Sequence, residues 1–369
     1  MLKLGKNAVP NYYDGLKWLW AQDVSYTTAY VDFKAYIYKF IDPLFETYFN
    51  DRAEQSSIRL DEVVWGGVYQ DGIPPLRYPK LIPAKEANYL DSDHVVFGVY
   101  HNGVAKAYPK RILAWHEMFI DEFAGEEVAG VYCTLCGTVI PYFTKHNGQQ
   151  HDLGTSGFLY RSNKLMYDRA TQSLWNTLEG KPVVGPLIVQ NIQLNILPIV
   201  TTSWKEWKES HPTTLVLDIE TGHERDYREG AAYKNYFGSD ELMFPVPLKS
   251  SLLNNKDEVF VIRLKGYEDS PIAFDKNFLR QQCIYQGQLK DKSYLIVVSP
   301  NGAVRAYVNK GYHFHCPSIG QIKDGEGRTW KQSEEALIGP KGESLERIPG
   351  HSSFWFAWYN MFPKTELIK

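Results

Sequence analysis

The chain has 369 residues, with 40 Lys and Arg against 43 Asp and Glu and a formal net charge of −3. That length holds two ordinary cores, and the charge excludes nucleic-acid binding, which needs a basic face. Hydrophobic residues at 44% with charged residues at 22% exclude a disordered chain, and aromatics at 14% fit an aromatic-rich β core or the lining of a ligand groove.

In chain order, residues 1–15 show no apolar run behind a basic stretch, so no secretory leader is expected there. No run of 18 apolar residues occurs, so no transmembrane helix is expected. Residues 16–49 are rich in aromatics, and from Phe33 through Tyr36, Ile37, Phe40, Ile41, Leu44 and Phe45 they recur at roughly helical spacing. This predicts one or two amphipathic helices docked on the body, with contact to a membrane surface as an alternative use. Short β-branched or aromatic runs bounded by Gly, Asn or Asp predict strands at Val95–Tyr100, Val128–Tyr132, Val139–Phe143, Leu215–Asp218, Val259–Leu264 and Tyr294–Val298. Helices are predicted at Tyr108–Phe123, Thr201–Ser210 and Ser352–Met361, the last two stopped by Pro212 and Pro363.

The chain resembles itself. Pro198, Trp204, Trp207, Pro212 and Thr214 match Pro349, Trp355, Trp358, Pro363 and Thr365 without a gap. The expected fold is therefore α+β and β-rich, with two lobes related by internal duplication and a helical N-terminal extension. The extension covers 1–89, the first lobe 90–220, a linker 221–250 and the second lobe 251–369. Each Trp pair, three residues apart, faces one side and reads as core.

Chemistry concentrates in the first lobe. Cys133-Thr134-Leu135-Cys136 sets two thiols three residues apart on a loop, able to share a metal ion or to close a reversible disulfide. The second lobe has Ser299-Pro300-Asn301-Gly302 there, without thiols. His116 and Met166 are likewise confined to the first copy. Cys133, Cys136, His116 and Met166 form a soft ligand set, which favours copper, with zinc or iron as further candidates. Glu117 and Asp121 are candidates to orient the imidazole or to act as acid or base. Cys283 and Cys316 read as isolated from each other. His313, Phe314 and His315 place two imidazoles on one side of an extended segment, and His351 reads as a cap residue of the last helix.

At these residues the chain resembles the bacterial domain-of-unknown-function family numbered 3179. The shared segments are Gly66-Gly67, Asp71-Gly72-Ile73-Pro74, Ala107-Tyr108-Pro109, Trp115-His116-Glu117 and Tyr132 through Thr138. They continue with Ser156-Gly157, Met166 through Arg169, Ser173-Leu174-Trp175 and Phe354 through Trp358. The resemblance implies kinship over about residues 65–369 and carries no activity with it. Its members are mostly exported or lipid-anchored.

Three functions follow from these residues. The first is a metal-binding protein or metalloenzyme, meeting a metal donor or small-molecule substrate. The second is a thiol–disulfide oxidoreductase on the same cysteines, and the third a non-catalytic module binding a glycan, lipid or protein partner. Four cysteines in so long a chain are no disulfide scaffold, and no Asn-x-Ser/Thr site occurs, so a cytoplasmic location is expected, with an exported form as the alternative.

Overall fold

Runs of apolar and β-branched residues pair into a β-rich α+β structure, with 36% of residues in strands against 17% in helices. This computed structural model describes residues 11–22, 26–318 and 320–369, together with the backbone of two short strands, Leu2–Leu4 and Asn7–Val9. Each predicted strand is present, within a few residues of its expected ends.

Two small sheets share one design. Val95–His101 turns into Val104–Pro109 through Asn102 and Gly103, both at positive φ, the hairpin turn that an Asn-Gly pair favours. Ile199–Ser203 lies antiparallel on the first of these strands, and Leu215–Leu217 runs parallel to the second. In the other half, Gly350–Phe354 lies antiparallel on Glu258–Ile262, which pairs antiparallel with Ile272–Asp275, and Glu366–Ile368 runs parallel to that strand.

The recurring Trp, Pro and Thr have one structural explanation. Trp204–Ser210 and Trp355–Met361 are short helices that follow the outer strand of each small sheet. Trp207 Nε1 donates to Thr214 Oγ1 at 2.9 Å, and Trp358 Nε1 donates to Thr365 Oγ1 at 3.0 Å. Each buried indole thereby satisfies its one donor on the residue that enters the parallel strand. Both helices begin three residues later than predicted. Residues 201–203 and 352–354 pair as strands instead, which places His351 in a buried strand rather than at a helix cap.

Two further sheets carry the middle of the chain. One orders Thr138–Phe143, Glu126–Cys133, Met118–Phe123 and Leu76–Arg77; the other orders Lys181–Val184, Leu174–Asn176, Asn163–Asp168, Leu153–Tyr160 and Val63–Trp65. Their facing sides bury Met118, Ile120, Val131, Ile140, Met166 and Trp175. Phe119 and Phe123 fill a separate core under the first small sheet. The strand Met118–Phe123 is thus apolar on both faces, so its residues read as a helix. The observed helix spans only Lys110–Leu113, and Glu117, at φ +56°, breaks the chain into the strand.

The second half adds an eight-stranded sheet from Ile284–Leu289 to Phe314–His315. Gln286 bonds both the amide and the carbonyl of Phe314, joining its first and last strands. Cys283 and Cys316 are disulfide-bonded at the same seam, with Cα atoms 6.1 Å apart. The expectation that they are isolated is therefore corrected; 33 residues of meander bring them back together.

The N-terminal helices are Tyr12–Trp20 and Thr28–Tyr38, capped by Asn11 and Thr27. The second docks through Val31, Lys34 and Ala35, and leaves Phe33, Tyr36, Ile37 and Phe40 exposed. The expected stripe is therefore split: Phe33, Tyr36, Ile37 and Phe40 point outward, whereas Phe45 is buried and Ile41 packs against the same core. Lys34 Nζ instead donates to the carbonyls of Leu60, at 2.7 Å, and Val63. Burial pulls its pKa down to about 7. Among the described residues, no helix is long and apolar enough to cross a membrane.

Candidate functional site around Cys133 and Cys136

Glu126–Cys133 and Thr138–Phe143 form a hairpin in which Cys133 lies opposite Thr138, leaving Thr134 through Gly137 as the turn. The Cys136 amide bonds the Cys133 carbonyl at 3.1 Å, and Gly137 takes φ +62°, a conformation that favours glycine. This turn sets the Cα atoms of Cys133 and Cys136 5.3 Å apart, and their sulfurs are joined in a disulfide. Two contacts from segments about 100 and 220 residues further along the chain pin the loop. The Phe354 amide donates to the Cys136 carbonyl at 2.7 Å, and the Tyr236 hydroxyl donates to the Leu135 carbonyl at 2.8 Å.

The two sulfurs have different surroundings. Cys133, 2% exposed, lines a narrow pocket of about 70 Å³. Cys136 is fully buried behind it, its Sγ 3.0 Å from Asn163 Oδ1 and 3.7 Å from the Ser162 carbonyl. The Asn163 amide nitrogen faces the carbonyls of Arg161 and Ala357, which fixes the oxygen toward the sulfur.

The pocket is apolar except at one wall, where Lys164 and Glu117 meet. Lys164 Nζ lies 2.9 Å from Glu117 Oε2, and both side chains are more than 90% buried. Thr134 Oγ1 donates to Glu117 Oε1 at 2.6 Å, and the Tyr233 hydroxyl donates to the same oxygen at 3.3 Å. Desolvation pulls the Lys164 pKa below its ordinary value, against the opposing pull of Glu117. Burial likewise pushes the Tyr233 hydroxyl up, so it stays a proton donor at neutral pH. A proton can pass between Lys164 and Glu117 within this buried pair without changing its net charge.

Of the six residues singled out by sequence, Cys133 and Glu117 line this pocket and Cys136 backs it. His116, Met166 and Asp121 do not line it. His116 Nδ1 sits 2.9 Å from the Pro74 carbonyl and its Nε2 2.5 Å from the Tyr227 hydroxyl, so both ring nitrogens are occupied. Met166 packs between the two middle sheets with Trp175 and Met118. Asp121 takes Lys106 Nζ at 2.8 Å and the Tyr108 hydroxyl at 2.6 Å. Among the described residues, no group of three or more His, Cys, Asp or Glu side chains is placed to hold a metal ion. Sequence reasoning missed Lys164, Asn163 and Tyr233, which are single polar residues in apolar or polar stretches and carry no motif. Lys164 shares strand parity with the buried Met166, two residues on, and that was the one available signal that this lysine turns inward.

Two buried histidines give a pH prediction. Desolvation lowers His116 to about 4 and His351 to about 3, from an ordinary 6.5. Below pH 6.5 the unfolded chain takes up protons that these two refuse in the fold. Their contribution is complete above pH 6.5 and is lost as pH falls towards 4 and then 3. Unfolding midpoints in urea should therefore drop between pH 6.5 and 4, and drop less in a His351→Gln variant. An equal drop in that variant would contradict this assignment.

No curated protein and no solved structure matches the chain. The sequence profile of one family does match, over residues 70–365, which takes in the hairpin and most of the pocket and of both small sheets. The chain belongs to the family of proteins of unknown function DUF3179.

Proposed function

We propose that this chain is a thiol–disulfide redox protein whose working pair is Cys133 and Cys136. The observation that carries the reading is the position of their disulfide, at the wall of an apolar pocket that also holds the Lys164–Glu117 pair. A disulfide needed for stability alone has no use for a pocket or for buried charge beside it. The copper, zinc or iron reading lacks comparable support, because His116 is bonded elsewhere and Met166 belongs to the core.

The matching strand order of the two small sheets supports descent from one duplicated unit, in which only the first copy kept thiols on the hairpin. Two disulfides in one chain also favour an oxidising compartment over the cytoplasm. Alkylation of intact cells before lysis tests this, and free thiols at Cys283 and Cys316 would return the protein to the cytoplasm.

The functional test starts from reduced protein mixed with hydroxyethyl disulfide and quenched in acid. Peptide masses should show the Cys133–Cys136 bond restored, with two small thiols released for that bond. Free thiols persisting at both residues would sink the reading. Stoichiometric copper or zinc on the reduced protein, lost in Cys133→Ser, would give the pair to a metal instead.

A further inference from the structure

The redox reading leaves open which sulfur meets the substrate and what kind of substrate fits. We propose, resting on that reading, that Cys133 is the exchanging sulfur, that Cys136 resolves the mixed disulfide, and that the substrate is a disulfide carried on a neutral, apolar group. Three observations carry this.

The first is access. Cys133 lines the pocket, whereas Cys136 is fully buried, does not line it and is covered by Asn163 and the Ser162 carbonyl. An incoming disulfide reaches Cys133 alone.

The second is the proton. With the bond open, the Cys136 thiol has an acceptor ready at 3.0 Å in Asn163 Oδ1, whose orientation the two carbonyls beyond it fix. A thiol that donates a hydrogen bond keeps its proton. Cys133 instead lines the pocket beside the Lys164–Glu117 pair, which gives its proton a way out once the bond is open. The asymmetry suits an attacking and a resolving sulfur, in that order.

The third is the lining. Gly66, Val68, Leu135, Phe158, Leu159 and Phe244 present an apolar surface. The charges in the pocket, Lys164 and Glu117, already neutralise each other. A charged substrate would lose its hydration there with no unpaired partner to replace it.

The exchange balances. The Cys133 thiol gives its proton to solvent, and its thiolate attacks one sulfur of the substrate disulfide. The first substrate thiolate leaves and takes up a proton. Cys136 then loses its proton as it attacks Cys133 of the mixed disulfide, and the second substrate thiolate leaves and is protonated. Two electrons pass from the protein dithiol to the substrate, giving the protein disulfide and two substrate thiols.

The experiment uses the reduced full chain with three probes: dibenzyl disulfide (neutral, apolar), cystamine (cationic) and glutathione disulfide (anionic). Each rate is divided by that probe's rate with free dithiothreitol. Dibenzyl disulfide should be favoured by about ten-fold or more over both others, the discrimination that burying a methylene or two provides. Cys136→Ser should accumulate a benzyl mixed disulfide on Cys133, and Cys133→Ser should accumulate none. If Cys136→Ser does not fold, acid quenching of wild type at early times should place the transient adduct on Cys133 by peptide mass. An adduct on Cys136, or a preference for either charged probe, would overturn the proposal while leaving the redox reading standing. Wild type inert to all three probes would overturn both.

Discussion

Replacing Lys164 with Met should lower the unfolding free energy by about 3–5 kcal/mol near neutral pH, the scale seen when one partner of a buried ion pair is removed. Lys164 and Glu117 are both buried, and Met fills the volume of the lysine stem, so the cost comes from stranding the carboxylate. Thr134 and Tyr233 remain as donors to it, yet neither supplies a positive charge. Adding Glu117→Gln to Lys164→Met should recover much of the stability at pH 7, because no unpaired charge is left. Urea unfolding of the wild type and these two variants at pH 7 measures this. A single-variant loss below about 1 kcal/mol, on the scale of an exposed pair, would mean the two charges are solvated rather than buried.

The second large effect is expected at the seam of the eight-stranded sheet. Removing the Cys283–Cys316 bond by a Cys283→Ala, Cys316→Ala change should cost about 3–4 kcal/mol, as expected for a closed loop of this length. The bond spans 33 positions and ties the first strand of the sheet to its last. Gln286 still joins those strands through Phe314, so the variant should fold at room temperature and melt earlier. A comparable melting temperature under reducing and oxidising conditions would contradict the assigned role.

Much of this structure is legible in sequence where a local pattern has a local cause. The Trp-x-x-Trp helices, their Pro stops and the Thr partners are visible because every participant lies within about ten residues. The strand positions read directly for the same reason. Legibility fails where one residue answers to two environments. Met118–Phe123 is apolar on both faces because two cores flank it, and so it resembles a helix. The aromatic stripe from Phe33 to Phe40 reads as the buried face, while the small Ala35 and the inward Lys34 make the actual contact. At the site, the cysteine pair and Glu117 are visible through motif and spacing. Asn163 and Lys164 lie some 30 residues further on, in a strand whose neighbours only the fold supplies. The Cys283–Cys316 pairing depends on how far a meander curls, which the number of residues between the two does not express.

The most direct measurement is the equilibrium between the Cys133–Cys136 dithiol and disulfide in glutathione buffers, read by alkylation and peptide mass on the intact chain. The account predicts a midpoint in the range of working thiol–disulfide proteins, about −120 to −270 mV, with the fold unchanged on reduction. A midpoint below about −300 mV, or unfolding on reduction, would make the bond a structural staple and contradict the account.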